Sequence, residues 1–116
     1  MTRKIRTIVT ALALFALPGL AHALDSVGAE GTIAELEVSH TTADTYLQYH
    51  GRVVLTSVGR AAEYRWGGSS CSNKSLSESM VTMLQRAMES GSLVTPRFQA
   101  GQGTNKCLVG FSVAAP

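Results

Sequence analysis

The sequence predicts a small, mainly β domain with one helix (α+β), in the order β-β-β-α-β-β, held by one disulfide. Three observations predict it. Apolar and polar residues alternate with period two on both sides of a single stretch that has helical period. That stretch, Ser75–Gly91, carries Leu76, Met80, Met83, Leu84, Ala87 and Met88 at offsets of a single helical face. Cys71 and Cys107 are the only cysteines among 116 residues.

The first 23 residues read as a cleaved secretory signal rather than part of the fold. Arg3, Lys4 and Arg6 precede an apolar run from Ile8 to Leu17, Pro18-Gly19 breaks it, and Ala21-His22-Ala23 has the Ala-x-Ala form of a cleavage site. The run is too short for an ordinary membrane span, which takes roughly 20 apolar residues, and no second one approaches that length. The expected product is residues 24–116, a single domain exported to the periplasm or the medium. Three of the ten Lys and Arg lie in the signal, leaving seven against eight acidic residues, a net charge of −1. No basic stripe remains, so nucleic acid is not an expected partner.

Thr32–Ser39 alternates, with Ala34, Leu36 and Val38 on one side and Glu35 and Glu37 on the other, as a strand with one wet face does. After a turn at Thr41–Asp44, period two runs through Leu47, Tyr49, Gly51, Val53 and Leu55; glycine inside a strand marks a bulge or bend. Ser57–Ala62 is read as a connection and Glu63–Trp66 as the third strand. Ser75 and Glu78 stand in the Ser-x-x-Glu spacing of a capping box, and Gly91 suits a left-handed helix end. Leu93–Phe98 is the fourth strand, and Pro96, with no amide to donate, places it at an edge or against a short ladder. Cys107–Ala114, apolar on both faces, is the fifth and central strand.

That order matches a five-stranded, partly open Greek-key barrel of the oligonucleotide/oligosaccharide-binding (OB) type, with its helix between the third and fourth strands plugging one end. An isolated cysteine pair in an exported chain reads as a disulfide. Joining Cys71 to Cys107 ties the approach to the helix onto the last strand. On the chain-entropy model, closing that 36-residue loop contributes about 3.8 kcal/mol.

The signal, a domain of about a hundred residues, strands on both sides of a helix ending Ala-Met-Glu-Ser-Gly (87–91), and a late cysteine in Lys-Cys-Leu-Val-Gly-Phe-Ser-Val (106–113) resemble the B subunits of AB5-type bacterial toxins. The subtilase-cytotoxin and pertussis-like branch is the nearer one. The resemblance spans Gly31–Ala114 in topology and cysteine placement. It implies an OB barrel that assembles as a homo-oligomer and binds cell-surface glycans; no sugar-binding residue of that family maps onto a matching position here.

Among the residues themselves, Trp66-Gly67-Gly68-Ser69-Ser70 is a candidate ligand stretch: an indole stacks on sugar rings, and glycines let a ligand approach the backbone. The competing reading puts Trp66 in the core beside Tyr64. Tyr46, with His50 and Arg52, reads either as an aromatic and cationic patch or as a solvated sheet face. Gln102, Asn105 and Lys106 lie on a polar loop, a usual place for recognition groups on a rigid scaffold and equally a plain solvated hairpin loop. The candidate binding residues are therefore Trp66, Ser69, Ser70, Tyr46, Gln102, Asn105 and Lys106.

No motif for hydrolysis, phosphate binding, metal or cofactor accompanies His40 or His50. Binding, not catalysis, is the expectation: an exported glycan-binding module first, a periplasmic protein-binding or inhibitor protein second, a small hydrolase using His50 third.

Overall fold

A computed structural model describes residues 24–116; the signal segment, 1–23, lies outside the described residues. Six strands and one helix follow in order: β1 Ser26–Val27, β2 Thr32–Val38, β3 Gly51–Ser57, β4 Arg60–Trp66, α1 Glu78–Ser90, β5 Leu93–Ala100 and β6 Lys106–Ala114. The expected class is correct, mainly β with one helix and one disulfide, but the strand count is six rather than five. The strands form one sheet in the order β1-β5-β6-β4-β3-β2. All neighbours are antiparallel except β4 and β6, which run parallel and match at Arg65 and Cys107. The extra strand, β1, lies in a lead-in too short and polar to show a period.

Several boundaries differ from the sequence reading, each for a physical reason. The alternation from Leu47 to Leu55 does not begin as strand: Asp44–Leu47 is a turn of 3-10 helix, and β3 starts only at Gly51. Gly51 gives neither a bend nor a bulge. A Cβ there would stand 2.2 Å from the Trp66 ring, so the glycine makes room for the indole across the β3–β4 pair. The expected 57–62 connection is a two-residue hairpin turn, Val58-Gly59, with φ of 50° and 77°, after which β4 begins at Arg60. Such left-handed turns match the twist of paired strands, and a valine in the first position hides the signal, since Asn usually fills it.

Two bulges reset the alternation. Ile33 pairs with Leu55 and Glu35 with Val54, leaving Ala34 unmatched. Ile33 is therefore buried and Ala34 exposed, the reverse of the simple pattern. On β6, Gly110 faces Arg97 and Leu108 faces Phe98, so Val109 is the extra residue and both Cys107 and Leu108 are buried. A single inserted residue switches every later side chain to the other face.

Pro96 is not on an edge, since β5 lies between β1 and β6. Its carbonyl accepts from the Gly28 amide at 2.9 Å, so the missing donor falls on the short β1 side and the long β6 ladder is intact.

The helix begins at Ser77, not Ser75. Ser77 Oγ accepts from the Met80 amide, and Ser75 is occupied elsewhere. Gly91 ends the helix as expected, with φ 70° and its amide on the last-turn carbonyls. The buried face is also rotated. Leu84 and Ala87 are buried and Val81 packs against the core, while Met83 and Met88 face outward. The core joins Ile33, Val53, Leu55, Tyr64, Trp66, Leu84, Ala87, Val94 and Leu108, and so runs from the sheet into the helix. Cys71 and Cys107 form the expected disulfide with Cα atoms 5.6 Å apart, both fully buried. Among the described residues no helix is long and apolar enough to cross a membrane.

Candidate functional site

A cleft of about 480 Å³ opens between the end of β2 and the first turns of α1. The segment joining β2 to β3 forms one wall. Its return is fixed by the Ser39 amide on the His50 carbonyl (2.9 Å), a hydroxyl contact between Ser39 and Thr45 (2.8 Å), and the Tyr49 amide on the Thr45 carbonyl (2.9 Å). The 3-10 turn therefore holds Tyr46 over His50, with ring centroids 3.9 Å apart and planes within 10°. The helix approach, Ser75 to Glu78, forms the other wall, joined to the first by Ser75 Oγ and His50 Nδ1 at 3.0 Å.

The two glycines after Trp66 serve this wall. Gly67 and Gly68 have φ of 76° and 68°. A Cβ on Gly67 would come within 2.2 Å of the His50 ring, and one on Gly68 within 2.5 Å of the Gln48 backbone. Their open space is filled by protein. Trp66 itself is 1% exposed, so its faces meet the core, and only its margin borders the cleft.

The cleft offers an aromatic pair, the hydroxyls of Ser39, Thr41, Ser75 and Thr82, the His40 imidazole and the Glu78 carboxylate. The His40 Nδ1 accepts from the Thr42 amide at 3.2 Å and contacts the Thr42 hydroxyl at 2.9 Å, which fixes the ring. Hydroxyl donors and acceptors beside a flat ring suit a polar cyclic ligand. The Ser75 hydroxyl meets the His50 imidazole here, and among the described residues no carboxylate hydrogen-bonds that ring. Among the described residues no group of three or more His, Cys, Asp or Glu side chains is placed to hold a metal.

A second polar feature covers the outer face of β2, β3 and β4. Arg52 binds Glu37 (Nε to Oε1, 2.6 Å) and Glu35, and lies 3.9 Å from Glu63, which also takes Arg65 at 2.7 Å. The Tyr49 hydroxyl donates to Glu37 at 3.1 Å, and the Arg65 guanidinium lies 4.4 Å from the Tyr49 ring centroid. The Arg52 pKa is raised above its ordinary value, first by the hydrogen bond to Glu37. Each guanidinium has a carboxylate partner, so the face is largely satisfied by itself. Glu35 and Glu37, which alternate as a plain wet face would, are partners of Arg52 one strand away. That pairing depends on strand register, which the sequence does not show.

The residues named from sequence do not converge. Tyr46 lines the cleft. Ser69, Ser70 and Gln102 meet at the disulfide: the Ser70 amide donates to Gln48, the Gln102 amide to Ser70, and Ser70 is buried. Asn105 and Lys106 border Glu63 and Arg65 in a small polar depression, with the Asn105 side-chain amide turned onto the Gln102 carbonyl. Glu78, Ser75 and Thr82 join the cleft only because the helix starts at Ser77, which the Ser75–Glu78 spacing concealed. A scan against protein-family models, a search of curated proteins and a search of solved structures return no match.

Proposed function

We propose that this protein is an exported binding domain of the OB barrel type that takes a glycan in the cleft between Tyr46–His50 and the start of α1. The barrel reading is supported by the chain from Ser26 to Val38. Its first part pairs with β5, Gly31 exchanges two backbone hydrogen bonds with Val94 (3.0 and 2.7 Å), and its second part pairs with β3. Taken as one strand bent at Gly31, it joins the two ends of the sheet and reduces six strands to five. The parallel β4–β6 match between antiparallel pairs and a helix between the third and fourth long strands agree with that plan.

The observation that carries the ligand class is the stacked Tyr46–His50 pair beside hydroxyls and one carboxylate. An aromatic face takes the apolar side of a sugar ring, while hydroxyl and carboxylate groups take its hydroxyls. The resemblance to toxin B subunits adds an expectation of self-association, read by light scattering after size exclusion; the ligand reading of the cleft does not depend on it.

The test is binding to a broad glycan array, followed by titration of the best ligand into Tyr46→Ala and Glu78→Gln. Stacking contributes roughly 0.5–1.5 kcal/mol, so Tyr46→Ala should weaken binding about 2- to 13-fold. No binding by the unmodified protein, or equal binding by Tyr46→Ala, overturns the reading.

A further inference from the structure

Near its turn, the β3–β4 hairpin directs alternate side chains to one face. Leu55 pairs with Ala62 and Ser57 with Arg60, so these four share that face, and Tyr64 follows on it two residues after Ala62. Together with Phe98 of β5, Lys106 of β6 and the segment from Val27 to Ala29, they line a cavity of about 520 Å³. That size falls within the roughly 300–1,000 Å³ of small-molecule sites.

Leu55, Ala62 and the rings of Tyr64 and Phe98, with centroids 5.4 Å apart, give the cavity its apolar surface. The only charged residues lining it are two cations, Arg60 and Lys106, and Lys106 Nζ sits 5.5 and 5.8 Å from the Phe98 and Tyr64 ring centroids. Neither cation forms an ion pair among the described residues, whereas Arg52 and Arg65 both do. Glu63, on the other face of β4, is held by Arg65 at 2.7 Å.

Tyr64 also brings a polar group that the protein leaves unused. The residue is 2% exposed, and its hydroxyl ends beside Gly28, where a Cβ would stand 2.3 Å from it. Among the described residues that hydroxyl has no hydrogen-bond partner. A buried donor without a partner is costly, and both Tyr64 and Gly28 line the cavity, where a ligand can accept this bond. Burial holds the phenol above its ordinary pKa of 10.0, so it is a donor at neutral pH.

We propose that this cavity binds a small carboxylic acid with an apolar body. The carboxylate accepts from the Tyr64 hydroxyl and meets Lys106, the body lies against Phe98, Leu55 and Ala62, and Arg60 adds to the positive field at the mouth. An apolar lining with few polar groups and charges of one sign selects an amphipathic ligand of the opposite sign. The cavity shares no residue with the cleft, and the proposal does not rest on the glycan reading.

The probe is octanoate, titrated into the full exported domain and followed by chemical shift. Saturable shifts should appear at Ala62, Phe98 and Lys106 in the low millimolar range, with none at Tyr46 or His50. Octanol, which has the body without the charge, should bind about 5-fold or more weakly, and butyrate, which has the charge with little body, about 10-fold or more weakly. Tyr64→Phe removes a hydroxyl that bonds nothing in the protein, so it should keep its thermal stability at neutral pH and yet bind octanoate about 10-fold more weakly. Lys106→Gln, at an exposed position, should weaken octanoate about 2- to 5-fold. The proposal fails if octanoate gives no saturable shift, or if octanol binds as well, which would make the cavity merely apolar. It fails equally if butyrate binds as well as octanoate, which would leave only a surface cation, or if Tyr64→Phe and Lys106→Gln both bind octanoate unchanged.

Discussion

The two ends of this domain differ in how fully their polar groups are used. At the helix end, the disulfide, the Gly67–Lys74 loop and the 101–105 loop interlock. Ser70 donates to Gln48 and accepts from Gln102, Ser69 donates to Leu47, and Cys71 and Cys107 are fully buried. At the hairpin end, β1 is two residues long, Val58 stands in solvent, and β4 meets β6 only at the match of Arg65 with Cys107. One end is built to hold the fold. The other leaves apolar side chains, Val27 and Val58, in solvent.

Substitutions at the closed end should have the largest effects. Trp66 lies over Gly51 in the core, and no neighbour is free to fill its volume. Trp66→Ala should cost about 3–5 kcal/mol, read by urea unfolding. A cost below about 1 kcal/mol would mean that the indole is not a core group. Next, the Cys71→Ser, Cys107→Ser pair removes a 36-residue cross-link and should cost about 2–4 kcal/mol. If the closed end is as interlocked as its hydrogen bonds indicate, that double variant still folds, and amide protection is lost first at Ser69, Ser70 and Gln102. Loss concentrated in the β3–β4 hairpin instead would reverse the ranking of the two ends.

The difference between the ends also governs what the sequence revealed. The helix, its Gly91 cap, the disulfide and the mainly β class were legible because each rests on local signals: a 3.6 period, a glycine, two cysteines. The failures lie where one residue changes phase. The bulge at Ala34 puts Ile33 and Leu36 on one side and the bulge at Val109 does the same for Leu108 and Phe111, breaking the period of two, and no composition marks either. The hairpin was missed because valine occupies a position that usually carries Asn. In the cleft, Tyr46 was visible from sequence, but the stack on His50 depends on a 3-10 turn hidden inside apparent strand alternation. The single match between β4 and β6 was not legible at all, since it follows from where β6 begins relative to β4.

A smaller effect tests the core at the open end. Burial raises the Tyr64 pKa above its ordinary 10.0. The unfolded chain then loses this proton at lower pH than the folded one, so the stabilisation is complete below about pH 10 and is lost as pH rises toward the folded value. Unfolding measured from pH 8 to 11 should show alkaline weakening that Tyr64→Phe reduces. An unchanged profile would mean that the phenol is solvated, and the cavity floor wetter than its lining residues indicate.

The smallest effect tests the turn at the open end. Val58 has φ 50° in the first position of a turn where Asn is comfortable, and its side chain touches little protein. Relieving the strain with Val58→Asn should stabilise the domain by about 0.5–1 kcal/mol, a rise of a few degrees in Tm. Destabilisation would mean that the hairpin tip packs on something beyond its own chain.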